Sequence, residues 1–127
     1  MSEWKPSSYP SLSPYLICSE AVELIDFLQR AFDGELQRRF DRPDGSLQHA
    51  EIRIDDSIVM IGGGATDAVG APVHLHLYVA DAQAAFDRAV AAGASVVQTP
   101  VQSGDDDLRG GVHDRWGNVW WLATQQR

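Results

Sequence analysis

Shifting the chain against itself by the offset between Ser13 and His74 lays SPYLICSE, Ser13 to Glu20, on HLHLYVAD, His74 to Asp81. A repeat of this kind constrains the fold more than any single element, because both halves must solve the same packing problem in the same way. Each copy opens with a short apolar segment that ends at an acidic residue, and a helical pattern follows. The first helix places Ala21, Leu24, Ile25, Leu28, Ala31 and Phe32 on one stripe; the second places Ala82, Ala85, Phe86, Ala89 and Val90 on one stripe. Gly34 and Gly93 lie just past these patterns, where a glycine readily takes the left-handed conformation that ends a helix. Later in the repeat, Asp56 to Ile61 falls on Gly117 to Leu122, a turn feeding a strand in each copy.

Between these landmarks the first half reads as a strand near Leu36 to Phe40, an Asp44-Gly45 hairpin turn, and a strand from Leu47 to Ile54. The second half reads as a strand near Ser95 to Gln98, a polar loop through Ser103 to Asp107, and a short strand near Gly110 to His113. The expected class is α+β: tandem βαβββ modules, the first at about 11–61 and the second at about 73–124, joined by the Gly-rich linker 62–72 within a single domain. A chain of 127 residues can bury a core without staples. A net charge of -8 and the lack of a basic stripe argue against nucleic acid as a partner. No apolar run reaches membrane-span length and the N-terminus has no secretory apolar core, so no membrane partner and a cytoplasmic location are expected. The single Cys18 excludes an intrachain disulfide and reads as a buried, inert thiol.

The repeat, together with the segments Pro14-Tyr15-Leu16-Ile17, Ile25-Asp26-Phe27-Leu28, His49-Ala50-Glu51-Ile52-Arg53-Ile54, Leu75-His76-Leu77-Tyr78-Val79 and Trp120-Trp121-Leu122-Ala123-Thr124, resembles the glyoxalase, bleomycin-resistance and extradiol-dioxygenase superfamily. The wording is similar to its PhnB-like glyoxalase branch. That resemblance implies a curved mixed sheet from each module, a cup-shaped cavity, and commonly a homodimer. It does not imply one reaction. The chain departs from the branch at Asp114-Arg115-Trp116-Gly117-Asn118, where an Asp-Pro-Phe-Gly-His turn is usual.

Period-two alternation sorts the strands into a helix-covered face and an open face. Leu16, Ala50, Ile52, Ile54, Val59, Ile61, Val73, Leu75, Leu77, Val79, Trp120 and Leu122 are assigned to the covered face, and Ser13, Tyr15, Ile17, His49, Glu51, Arg53, Ile58, Met60, His74, His76, Tyr78, Val119 and Trp121 to the open one. Metal-using relatives take one ligand from the first and one from the last strand of each module, which the repeat register places at Ser13, Met60, His74 and Trp121. Only His74 is a good ligand for a divalent ion, so no metal is expected there. A displaced site using His49, Glu51 and His76 is the alternative, against the simpler reading that Glu51 and Arg53 pair with neighbours. Arg109 either holds an anionic group at the mouth of the cup or balances Asp105 to Asp107, a run that reads as solvated loop and lacks the ligand pattern of a calcium loop.

Two functions follow. In the first, the cup binds a small, partly apolar molecule, with Tyr15, Tyr78 and Trp121 as stacking surfaces and His49, His74, His76, Arg53 and Arg109 as donors; no cofactor is needed. In the second, a lyase or isomerase uses acid–base catalysis by His74 or His76 with Glu51, or a divalent metal at the displaced site.

Overall fold

The structure, a computed structural model, describes residues 4–64, 71–102, 104 and 106–126. It divides into two compact units, Met1–Gln29 with Asp33–Gly70 and Arg30–Phe32 with Ala71–Arg127. The elements run β1 (Tyr15–Cys18), α1 (Ala21–Phe32), β2 (Glu35–Asp41), β3 (Leu47–Ile54), β4 (Ser57–Gly63), β5 (His74–Tyr78), α2 (Ala82–Ala91), β6 (Ser95–Gln102), β7 (Asp107–His113) and β8 (Val119–Gln125). Each unit forms a four-stranded sheet, in the order β1-β4-β3-β2 and β5-β8-β7-β6. The first strand of each pairs parallel to the last, and the remaining pairings are antiparallel. The expected α+β class and its βαβββ order are therefore present in both halves.

The repeat register holds at the level of backbone pairing. Tyr15 lies opposite Met60 and Leu16 opposite Ile61, and their counterparts His76 and Leu77 lie opposite Trp121 and Leu122. In the first unit the covered face buries Leu16, Ala50, Ile52, Ile54, Val59 and Ile61. In the second, Val112, Trp120 and Leu122 are buried together with Ala82, Ala85, Phe86 and Ala89 of α2. Ile58, assigned to the open face, is nevertheless fully buried. Its cross-strand neighbour Arg53 donates from Nη2 to the Ser8 carbonyl at 2.8 Å, so the segment before β1 is held against this part of the open face. Val119 is likewise buried, where it takes up the sharp turn that feeds β8, and Val73, expected under a helix, is exposed just before β5.

Helix ends and strand lengths also differ from expectation. The left-handed residue after α1 is Asp33, with φ 55°, rather than Gly34. Gly34 is needed for space instead, since a Cβ there would meet the Ile52 methyl at 2.7 Å. Gly93 does take a positive φ, 113°, after α2, and Asp81 caps the start of that helix by accepting from the Ala84 N–H at 3.0 Å. Gly45 has φ 88° in the Asp44-Gly45 turn, where Asp44 accepts from both the N–H and the hydroxyl of Ser46. β4 continues through Gly63, so Gly62 and Gly63 pair with Ile17 and Cys18 rather than opening the linker; residues 65–70 of that linker lie outside the described residues. β6 continues through Pro100 to Gln102. It is the edge strand, and its register shifts between Gln98 and Val101, the place where a residue without an N–H is tolerated.

The turn before β8 is organised by Asp114, only 4% exposed. Its carboxylate accepts from the backbone N–H of Trp116 (2.9 Å) and Asn118 (3.0 Å), from Asn118 Nδ2 (2.9 Å) and from Trp120 Nε1 (3.0 Å). Gly117, with φ 90°, completes the turn. Asn118 in turn accepts from the Val73 N–H through Oδ1, at 3.2 Å. Removing the carboxylate strands several buried donors at once. Asp114→Ala is expected to lower unfolding stability by about 3 kcal/mol, read as a shift in urea midpoint at unchanged slope.

Candidate functional site

The open face of the first sheet carries two cross-strand rows. One runs Tyr15, Met60, Glu51, Arg38; the next runs Ile17, Gly62, His49, Phe40. Gly62 leaves a gap in the second row, and the Tyr15 ring lies across it: a Cβ at Gly62 would meet Tyr15 Cε1 at 2.9 Å. That diagonal reach brings the Tyr15 hydroxyl to 3.1 Å from His49 Nδ1. On its other side His49 Nε2 lies 2.8 Å from Glu51 Oε2. The second Glu51 oxygen accepts from the Tyr9 hydroxyl at 2.5 Å.

Glu51 is 5% exposed. Burial pushes its carboxyl upward, but the hydrogen bonds from Tyr9 and His49 and the positive charge of Arg38 outweigh this and hold it below the usual carboxylate range. The same contact raises the Tyr9 phenol, chiefly because its proton is held by Glu51. An ionised Glu51 can only accept, so His49 Nε2 must carry a proton; in the neutral imidazole Nδ1 is then the acceptor and Tyr15 the donor.

The open face of the second sheet is built differently at matching positions. Arg109 donates from Nε to His76 Nε2 at 3.1 Å and from Nη2 to Asp107 Oδ2 at 2.8 Å. Tyr78 donates to the same Asp107 oxygen at 2.8 Å and stands edge-on to His76, with ring centroids 4.8 Å apart. The Trp121 ring covers Gly111, where a Cβ would meet its ring carbons at 2.7 Å. Trp121 Nε1 donates to His74 Nδ1 at 3.0 Å, and the two rings lie side by side within 11° of parallel, centroids 6.2 Å apart.

Of the residues singled out from the sequence, the structure joins Tyr15, His49 and Glu51 in one chain of hydrogen bonds, and His76, Tyr78 and Arg109 in another. It gives Glu51 to His49 and Tyr9, and it gives His76 to Arg109. Arg53 is engaged by the Ser8 carbonyl. Asp107, read as part of a solvated loop, is instead buried at the start of β7, because Tyr78 and Arg109 both bind its carboxylate; Asp105 lies outside the described residues. The pairing of Arg109 with Asp107 matches one of the two readings given for that arginine, while Tyr9, Gly62, Gly111 and the burial of Asp107 were not anticipated. Asp107 and Arg109 share a strand face with period two, a signal that was available; Tyr9 belongs to an aperiodic Pro- and Ser-rich segment that offers none.

Ser13, Met60, His74 and Trp121 do not suit a divalent ion, since one is a thioether, one an indole, and the imidazole Nδ1 is taken by that indole. Among the described residues no three His, Cys, Asp or Glu side chains converge to hold a metal. A cavity of about 490 Å³ lies elsewhere in the first unit, between the start of α1 and the β2–β3 hairpin. Its Arg42 guanidinium is spent on the carbonyls of Leu47 and Gly63.

A sequence model of the Glyoxalase/Bleomycin resistance protein/Dioxygenase superfamily matches residues 13–122, and the chain belongs to that superfamily. It is 40% identical over 129 residues to an uncharacterized protein of Mycobacterium bovis, covering 93% of this chain and 85% of that one. The fold is similar to that of TioX from Micromonospora sp. ML1, with TM-score 0.76 and 24% identity over 91% of this chain and 98% of that chain. It is also similar to a PhnB protein from Bacillus cereus described as a putative 3-demethylubiquinone-9 3-methyltransferase, with TM-score 0.67 and 13% identity over 91% and 99% of the two chains.

Because the Glu51 carboxyl is lowered and the Tyr9 phenol raised, their contact stabilises the fold between the two ranges. The Glu51 contribution is fully present above the ordinary carboxylate pKa and fades as pH falls through the lower folded value; the Tyr9 contribution fades as pH rises through its raised value. Tyr9→Phe is expected to lower stability by about 1–3 kcal/mol at neutral pH and to flatten the acid limb of a urea-midpoint profile. An unchanged acid limb would show that the contact does not persist in solution.

Proposed function

We infer that this chain binds a small, partly apolar molecule on the open faces of its sheets, without the metal that many members of the superfamily use. The observation that carries this reading is the Trp121–His74 pair. At the first and last strands of the second unit, where a chelating pair would stand, an indole donates to an imidazole and the two near-parallel rings, side by side, present a broad aromatic surface. Tyr15 and Tyr78 add exposed rings on their own sheets, 51% and 61% accessible. The net charge of -8 favours neutral or cationic ligands at long range. No helix among the described residues is long and apolar enough to cross a membrane, which fits the proposed cytoplasmic location. Family resemblance and the exposed aromatic residues support a homodimer, testable by sedimentation at micromolar concentration.

A tryptophan-fluorescence titration against neutral and cationic aromatic compounds tests the reading. Binding is expected to be unchanged by a chelator and to weaken about tenfold in Trp121→Ala. Metal analysis of purified protein showing a tightly held stoichiometric divalent ion would overturn it. One observation favours a second reading, a lyase or isomerase working by histidine and glutamate acid–base chemistry: the ionised, buried Glu51 is hydrogen-bonded to an imidazole whose other nitrogen reaches the open face.

A further inference from the structure

We propose that Tyr15, His49 and Glu51 form a nucleophile, base and orienting group, and that the Tyr15 phenol accepts an acyl group from a small activated ester. The proposal goes beyond ligand binding and stands on the geometry of the first unit alone. A nucleophilic hydroxyl activated by a neighbouring base, itself oriented by a third group, requires two successive contacts at hydrogen-bond distance. Tyr15 to His49 is 3.1 Å and His49 to Glu51 is 2.8 Å. Because Glu51 occupies Nε2, the basic Nδ1 lone pair is directed at the Tyr15 hydroxyl.

The chain contains three tyrosines, and their partners separate their chemistry. Tyr9 donates to Glu51 and Tyr78 donates to Asp107, so each phenol proton is held by a carboxylate. Tyr15 shares its hydroxyl with an imidazole nitrogen, a neutral base rather than a carboxylate, and its ring is half exposed. Phe40, opposite His49 in the neighbouring strand and half exposed, supplies an apolar surface for an aryl leaving group, its ring 6.2 Å from the imidazole. In the step itself the Tyr15 O–H proton passes to His49 Nδ1 while the phenolic oxygen forms a bond to the acyl carbon. The ester C–O bond breaks and its electron pair leaves with the aryl oxide. The imidazolium, stabilised by Glu51, then loses its proton to solvent or to the leaving group. Water hydrolysing the tyrosyl ester with His49 again as base releases the acid and restores the phenol.

The experiment uses full-length protein and 4-nitrophenyl acetate. Expected is a stoichiometric burst of 4-nitrophenolate, with the acetyl group located on Tyr15 by peptide mass spectrometry. Tyr15→Phe is expected to abolish the burst, and His49→Gln to slow it by about 100-fold or more. Glu51 is a positioning residue: Glu51→Gln slows acylation and Glu51→Asp restores part of the rate. Gly62→Ala, which displaces only the Tyr15 ring, slows the burst without loss of fold. The proposal is overturned by the absence of a burst, by acetylation at Lys5, His49, Tyr9 or Tyr78 in place of Tyr15, or by Tyr15 acylation at an unchanged rate in His49→Gln. If Glu51→Gln fails to fold, the open-face variants Tyr15→Phe, His49→Gln and Gly62→Ala decide the question.

Discussion

Withdrawing a carboxylate from water on a sheet face costs several kcal/mol unless fixed donors replace its hydration. At Glu51 that replacement comes from two directions, the imidazole of His49 on the same strand and the phenol of Tyr9 from the segment ahead of β1. The arrangement of the first open face follows from this one satisfaction. It fixes which His49 nitrogen carries the proton, it makes Nδ1 an acceptor, and it ties the N-terminal segment to β3. Arg53 reinforces the last point by holding Ser8. The residues gathered here are therefore positioned by an electrostatic requirement of the fold.

The two sheets show how duplication preserves a backbone while exchanging its chemistry. Tyr15 and His76 occupy matching places opposite Met60 and Trp121. His49 opposite Gly62 matches Arg109 opposite Ala123, and each unit joins its first strand to its third by a side-chain hydrogen bond. In the first unit the pair is phenol and imidazole; in the second it is imidazole and guanidinium. A guanidinium does not lose its proton in a protein. The second pair therefore carries a fixed positive charge, neutralised by Asp107, which the phenol and imidazole of the first pair lack.

Much of this was legible in the sequence because burial and period are repeated signals. The helices showed their stripes, β3 alternated between Ala50, Ile52, Ile54 and His49, Glu51, Arg53, and the offset carried the pairing of first and last strands. What escaped were features set by single residues acting through space. Nothing local marks Tyr9 as the partner of a residue on β3. Gly62 looked like linker because a glycine run has the composition of one, yet it is a strand residue whose missing side chain gives room to Tyr15. Asp107 looked solvated because two aspartates precede it, and only its place opposite the end of β8 shows it to be a buried acceptor. The strand read near Ser95 to Gln98 runs on through Pro100 to Gln102, which its edge position allows.

The bare glycine is the device that both units share. On each open face an aromatic ring lies over a position without a Cβ, Tyr15 over Gly62 and Trp121 over Gly111, and in each case the ring tip reaches a histidine. A side chain opposite its neighbour on a flat sheet would point outward and meet only that neighbour. Removing one Cβ lets a large ring lie down and contact a residue in the next row or on the adjoining strand, so the contact is made by shape and does not depend on long flexible side chains. Rings held this way lose little further freedom when another molecule packs on them, and their polar tips are already aimed. Because each ring is seated by an absent side chain, small variations at these two glycines retune the open faces and leave in place the buried Ile52 and Ile61 of the first sheet and the buried Leu122 of the second.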